Sequence, residues 1–436
     1  MAAVGTITTP VVGARLREAL AATGIAGSIA AGYALAADAA AAPSFAVPWS
    51  HRGFFPGWLS GPLHGLGAQL DAPRFTVIML VLLACCLLTM ANAGAVRPKV
   101  AIGGIVVMHV IFLLAPPLLL ADVFNYIDYA RLGAVHGLNP YLHTPSQAPY
   151  DSIHHLVTWR HLTTPYGPLF TLGSYVLAPL SVPAAMWVVK AAVALASLGC
   201  VAMIWRLARL LGRPPVPAIM LYGLNPLVLV HAVGGAHNDV FALLVVLVGV
   251  QFVLREREGR AAGMMVAAAA IKASFGLALP FLIAGSSRRL RAAGGALVGA
   301  AIVGIVALIA FGSGTSAAFE GFGAQGHFVS PLSVPGQWAV QVLHQPIITQ
   351  DVVDGARYAF VAITLGFLIR TWRGGDWIDG TGWALMALIL ALTWVMPWYI
   401  IWVLPFAALS ANRNLRNASL ALFVFLLLIR LPVTGF

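Results

Sequence analysis

Charge is what this chain has least of: 9% of its 436 residues are Asp, Glu, Lys or Arg, against 60% that are hydrophobic. A soluble α/β enzyme cannot cover its surface with so few charges, and that class is excluded. Cysteine is scarcer still. Cys85, Cys86 and Cys200 all lie inside apolar runs, without a pairing pattern or metal-ligand spacing, and they read as packing residues. A P-loop, a Gly-rich strand-to-helix turn and an HExxH pattern are also missing, so no nucleotide site is indicated and neither a metal nor a cofactor is expected.

What the chain does have is apolar runs long enough to cross a hydrocarbon core of about 30 Å, so it reads as a polytopic membrane protein. The net charge of +11 does not point to nucleic acid, because the basic residues fall in short clusters between apolar runs. Arg15/Arg17, Arg97/Lys99, Arg206/Arg209/Arg213, Arg255/Arg257/Arg260, Arg288/Arg289/Arg291, Arg370/Arg373 and Arg413/Arg416 are topology signals that belong on the cytoplasmic side. The Ala-rich stretch after Arg17 is too long for a cleaved signal and reads as a retained first span.

Placing the clusters inside yields about ten to thirteen membrane segments. Spans are expected near 18–38, 75–96, 100–120, 215–233, 239–254, 292–312, 353–370, 380–394, 396–410 and 418–435, with a full span ending at Arg206. The run 168–180 is too short to cross and should be re-entrant or steeply bent. The run 261–284 lies between two basic clusters yet is only one membrane thick, which predicts two half-helices broken near Lys272. Two outer loops stand out, about 121–167 and 313–350. No internal repeat is visible.

Topology sorts the acids. Asp122 sits where an apolar run ends, in LLADVFNYIDYARLGAVHGLNPY, and partial desolvation there should raise its pKa and suit it to act as a base. The alternative is a helix cap. Asp128 would point away from Asp122 on a helix and has Arg131 three positions on as a partner. In GGAHND, Asn238 reads as a cap, Asp239 as a cap or a site acid, and His237 as an interfacial histidine or a phosphate ligand. Lys272 marks a site unless it snorkels to the cytoplasmic face. Tyr126, Tyr166 of YGPLF, and Trp398 and Tyr399 of MPWYIIW, are interfacial belt residues or walls that stack on sugar rings. Arg131, Arg160, His154, His155 and His161 are candidate donors to a phosphate.

The ordered set ADVFNYIDYARLGAVHGLNPY, TTPYGPLF, NPLVLVHAVGGAHND, AAIKASFGLALPF and MPWYIIWVLPFAAL resembles the GT-C mannosyltransferases of actinobacteria that use polyprenyl phosphomannose, in particular the α-1,6-mannosyltransferases that build lipomannan. The likeness spans roughly 100–410, and its strength lies in the order of motifs that are individually weak. It implies an all-α GT-C fold, one integral membrane domain over 1–436, and a multi-pass protein of the cytoplasmic membrane with an outward-facing active site. It also implies an inverting reaction that moves mannose from the lipid donor to a mannan or glycolipid acceptor. Asp122 matches the family's acid at the start of the first large outer loop. One departure is that Val123 follows Asp122 where many relatives have a second acid, leaving that role to Asp128 or Asp239. No soluble C-terminal domain is expected.

On this reading Arg131, Arg160 or His327 meets the donor phosphate, Asp122 takes the acceptor proton, and Tyr126, Tyr166, Trp398 and Tyr399 wall the acceptor groove. Lys272 reaches the donor or holds the half-helices in place. Two alternatives remain open: a transporter or flippase for a lipid-linked sugar, and a GT-C transferase of another sugar such as arabinose.

Overall fold

The computed structural model describes residues 9–49, 53–317, 330, 332–344 and 349–432. Among them the regular structure is helical, and the one β-contact is an isolated bridge between Ser44 and Leu70. In chain order the helices are α1 (Thr9–Ala39), a single turn α2 (Gly57–Ser60), α3 (Ala72–Ala91), α4 (Pro98–Leu114), α5 (Asp122–Ala134), α6 (Pro168–Ser174), α7 (Val182–Leu210) and α8 (Pro215–Gly223). They continue with α9 (Asp239–Val253), α10 (Glu258–Ala269), α11 (Ala278–Gly285), α12 (Arg289–Phe311), α13 (Val334–Gln341), α14 (Gln350–Trp372), α15 (Trp377–Ala391), α16 (Leu404–Leu409) and α17 (Arg413–Leu428).

Five of these helices, α1, α3, α7, α12 and α14, are long and apolar enough to cross a membrane, and six spans result if the bent pair Pro215–Gly223 and Leu227–Val233 is taken as one. Several segments expected as full spans are shorter. The run 100–120 is helical only to Leu114, because Pro116 and Pro117 supply no backbone N–H to continue the ladder. The chain then runs irregularly to Asp122, with Leu119 in the left-handed region at φ +69°. Its backbone is tied down nonetheless, since Leu118 N donates to Gly234 O at 3.2 Å and Leu119 N to Ala46 O at 2.6 Å.

The bent pair turns by 51° at Pro226, and Asn225 Oδ1 caps the restart by accepting from Leu227 N at 2.9 Å. Beyond the bend the backbone is π-helical, Leu227–Val233, and it delivers the tight turn that carries His237 and Asn238 into α9. Ala236 is held at φ +57° in that turn, a conformation a non-glycine residue adopts only when its surroundings impose it.

The expected break near Lys272 is present. α10 ends at Ala269, Lys272 is extended (φ −143°, ψ 114°), and a 3₁₀ turn Ala273–Leu277 leads into α11. The carbonyls freed by the break are satisfied by the YGPLF stretch: Gly167 N donates to Ile271 O at 3.3 Å and Leu169 N to Ala270 O at 3.0 Å. A Cβ on Gly167 would lie 2.1 Å from Ala270 O, so only glycine admits this approach. The short run 168–180 forms one short apolar helix, α6 continuing as a 3₁₀ turn over Tyr175–Leu177. Close helix packing uses small residues elsewhere too, since a Cβ on Gly295 of α12 would strike Gly259 O of α10 at 2.1 Å.

Candidate active site

Four chain segments that are distant in sequence meet at one end of the bundle: the start of α5, the YGPLF turn, the Lys272 break and the 3₁₀ stretch Pro397–Trp402. They enclose a cavity of about 120 Å³ lined by Asp122, Trp159, Tyr166, Lys272, Trp398 and Tyr399 among others. Of the three lysines in the chain, Lys272 is the one that lines it.

Asp122 is the first residue of α5, but its side chain caps nothing, and the preceding Ala121 is the cap residue. The carboxylate instead faces the cavity. Trp159 Nε1 donates to Asp122 Oδ1 at 3.4 Å, and His237 Nδ1 lies 3.5 Å from Oδ2. Its side chain keeps 17% exposure, enough to meet a ligand. Burial pushes its pKa up, but His237, the positive field of Lys272 and the Trp159 donor together hold it below the ordinary carboxylate value. This corrects the expectation of a raised pKa: burial is the largest single effect, but the others together outweigh it. The group is an anion at neutral pH, and its partners lie on loops that the sequence does not place beside it.

Asp239 opens α9 and is only 1% exposed. Trp402 Nε1 donates to its Oδ1 at 2.9 Å, and Lys272 Nζ lies 3.5 Å from Oδ2. Neither Asn238 nor Asp239 acts as a side-chain cap: the Asn238 side chain makes no capping bond and its Oδ1 is 3.5 Å from Tyr126 Oη, which also accepts from Asn238 N at 3.2 Å. Asp239 is therefore the counter-ion that holds Lys272 toward the cavity, and the lysine does not snorkel away. The Lys272 ammonium lies 6.0 Å from the Tyr166 ring centre and 5.9 Å from that of Tyr399, within the range of cation–π attraction.

The aromatic residues form a wall with a second layer behind it. His237 stacks on Trp398 at 3.7 Å and 11°, and Tyr399 stacks on Trp402 at 4.1 Å and 19°. Tyr166, Trp398 and Tyr399 reach the cavity surface. Tyr126 does not: it is 1% exposed and packs edge-on against Tyr166 at 4.8 Å, so it supports the wall and is not part of it. His237, Asn238 and Asp239 likewise sit behind the lining.

Other predicted residues lie elsewhere. Arg131 does not pair with Asp128. Its Nε donates to Asp151 at 2.9 Å and its Nη1 to Ala178 O at 3.0 Å, because a carboxylate reached by folding the loop back meets the guanidinium better than one a turn away. Asp128 is left 2% exposed with Oδ2 unpartnered. Burial and the nearby Asp151 carboxylate raise its pKa to about 7, against smaller opposing effects of His136 and Arg131. Arg160 is occupied by the carbonyls of Val157 and His155, His161 Nδ1 is 3.1 Å from Ser146 Oγ, and His155 packs on Phe54. None of Asp128, Arg131 and Arg160 lines the cavity. His327 lies outside the described residues. Among the described residues no three His, Cys, Asp or Glu side chains converge as a metal site would need.

One charged residue that supports the site carries no sequence signal beyond its depth. Lys190, inside α7, is fully buried and donates to Phe112 O at 3.1 Å and Gly234 O at 3.0 Å. It thereby ties the end of α4, which leads to Asp122, to the turn that leads to His237 and Asp239. A lone lysine in an apolar run already marks a buried role, and that signal was available for Lys190 as it was for Lys272.

Residues 21–288 match the family described as alpha-(1→6)-mannopyranosyltransferase, N-terminal domain, and residues 336–435 match the MptB C-terminal domain. The alpha-(1→6)-mannopyranosyltransferase A of Mycobacterium tuberculosis is 29% identical over 344 residues, covering 71% of this chain and 66% of that protein. A probable alpha-(1→6)-mannopyranosyltransferase of Mycolicibacterium smegmatis is 27% identical over 371 residues, covering 71% of this chain and 65% of that protein. The matches thus span about two thirds of the length of these relatives. The family match extends over more than half of the sequence and includes Asp122, Tyr166, His237, Asp239 and Lys272: the chain belongs to the alpha-(1→6)-mannopyranosyltransferase family.

Proposed function

We propose that this protein is an inverting GT-C glycosyltransferase that moves mannose from polyprenyl phosphomannose to a mannan or glycolipid acceptor, forming an α-1,6 linkage at the outer face of the cytoplasmic membrane. The observation that carries the reading is a single partly exposed carboxylate, Asp122, sharing a small aromatic-walled cavity with a single lysine. An acid and a cation facing one space are what attack by a hydroxyl on a sugar phosphate requires.

In the proposed step the acceptor hydroxyl attacks the anomeric carbon of mannose, the bond from that carbon to the phosphate oxygen breaks, and polyprenyl phosphate departs. Asp122 takes the acceptor proton. Its lowered pKa keeps it ionised and ready, while His237 and Trp159 orient its two oxygens. Lys272 stabilises the charge that grows on the leaving phosphate, a role that falls to it because Arg131 and Arg160 are engaged by other partners. Asp239 and Trp402 keep the lysine in place. Tyr166, Trp398 and Tyr399 offer ring faces to the sugars. Attack opposite the leaving group turns a β-linked donor into an α-linked product, in keeping with the family's name.

The polyprenyl tail has a place to lie. A groove of about 660 Å³ between α13, α14 and α15 is lined by apolar side chains including Trp338, Phe360, Phe367, Trp383 and Leu390. One of its lining residues, Ala391, lies five positions before Met396 of the cavity wall. The full span count of the GT-C fold and the single-domain reading belong to the same proposal. The test is transfer of radiolabelled mannose from polyprenyl phosphomannose to a mannoside in membranes carrying the protein. Transfer by the wild type supports the reading, and transfer of arabinose alone from the corresponding donor would replace it.

A further inference from the structure

At the end of the bundle opposite the candidate active site, two basic clusters far apart in sequence converge. Arg213, just before α8, and Arg416, in the first turn of α17, line a second cavity of about 330 Å³, together with Met90, Leu221, Ser410 and Leu420. The distance between the sites follows from α17 itself. Arg430, just beyond the helix, donates to Val395 O and to Met396 Sδ beside the active-site wall, and the residues from 416 to 430 rise about 21 Å.

Among the described residues no acidic side chain lines this second cavity. The carboxylate nearest in the hydrogen-bond network, Asp379, is already taken: Arg370 lies 3.4 Å away, and Ser410 Oγ and Asn412 Nδ2 donate to it at 3.3 and 3.2 Å. Arg213 is half-buried and its Nε is sequestered without a hydrogen-bond partner among the described residues. That nitrogen is closed off from the cavity, so an anion there is met by the outer guanidinium nitrogens. Topology signalling alone does not explain it, because the positive-inside effect asks for charge near a span end and not for a guanidinium turned into a cavity.

We propose that this cavity binds the phosphate head group of an anionic phospholipid from the leaflet at the basic end of the bundle. Arg213 and Arg416 hold the phosphate, and Met90, Leu221 and Leu420 continue the cavity as an apolar flank for the first acyl carbons. Paired arginines between helices at the head-group level are the physical form of such a site. A free phosphate would be served by the arginines but gains nothing from the apolar flank.

The experiment titrates the full chain in detergent micelles with phosphatidylglycerol, phosphatidylcholine and inorganic phosphate, counting bound lipid by native mass spectrometry and following the thermal midpoint. The wild type should bind phosphatidylglycerol saturably and gain thermal stability from it, with no comparable effect of phosphatidylcholine. Arg416→Gln should weaken binding about fivefold, and Arg213→Gln/Arg416→Gln by roughly the product of two such losses. Arg413→Gln, which removes an exposed charge on the same turn outside the cavity, should change binding less than about twofold. Undiminished binding in Arg416→Gln and the double variant would overturn the proposal, and an equal loss in Arg413→Gln would reduce it to diffuse surface charge. Inorganic phosphate that displaces the lipid and reproduces its full thermal shift would overturn the lipid assignment. Arg416 is exposed, so its single variant keeps the test open even if the double variant fails to fold. Sugar transfer is not the readout, and the outcome is independent of the proposed activity.

Discussion

Asp122 and Asp128 stand six residues apart on one helix, and their surroundings push them in opposite directions. Asp122 meets the Trp159 donor and the nearby His237 ring in the field of Lys272, and is held below the usual carboxylate range. Asp128 lies on the other side of α5 with an unpartnered oxygen and a carboxylate neighbour, and is raised to about 7. Burial is common to both, so burial cannot explain the difference. What separates them is which loops fold back onto the helix: the 159 and 237 segments bring Trp159 and His237 to Asp122, whereas Arg131 and His136 are engaged by Asp151.

The comparison breaks most directly at Asp122. Asp122→Asn should lower sugar transfer about a thousandfold with the fold kept, the size expected for loss of a general base; membranes assayed with labelled donor read it. Lys272→Gln should follow, with a loss of about a hundredfold. That variant also strands Asp239, so a lower thermal midpoint is expected with it. Lys190→Met tests the support and not the chemistry: with Phe112 O left without its donor and Gly234 O keeping only Leu118 N, stability should fall by about 2 kcal/mol, seen as a lower midpoint in chemical unfolding.

Asp128→Asn is the smallest change for activity, within about threefold, but it should alter the dependence of stability on pH. A carboxyl whose pKa is raised on folding binds its proton more tightly in the native state. Its stabilising contribution is full below the unfolded value of 3.8 and is lost as pH rises to about 7. The wild type should therefore lose stability relative to Asp128→Asn between those values, by roughly 2–4 kcal/mol, and the thermal midpoints of the two proteins measured at a series of pH values will show it.

Much of this contrast was beyond the sequence. The break at Lys272 and the tip at GGAHND were legible because apolar length and basic clusters are local signals. Trp159 as a partner of Asp122, Asp151 as the partner of Arg131, and Trp402 as the partner of Asp239 were not. Each joins segments separated by 20 to 163 residues, and loop trajectories of that kind carry no periodic signature. The sign of the Asp122 shift was misjudged for the same reason: desolvation is visible at the end of an apolar run, whereas hydrogen-bond partners are not. Short helices hid the span count, since α15 and the stretch 397–409 each fall below a membrane thickness.

The central claim is that Asp122, and not Asp128 or Asp239, is the base. It is tested most directly by the pH dependence of mannose transfer in the wild type and in Asp122→Asn, each measured with saturating polyprenyl phosphomannose. The account predicts that wild-type transfer holds constant as pH falls from 7 to about 5, because an acid with a depressed pKa stays ionised there, and that Asp122→Asn is inactive throughout. Substantial transfer by Asp122→Asn, or a wild-type rate that collapses near pH 7 where Asp128 titrates, would contradict it.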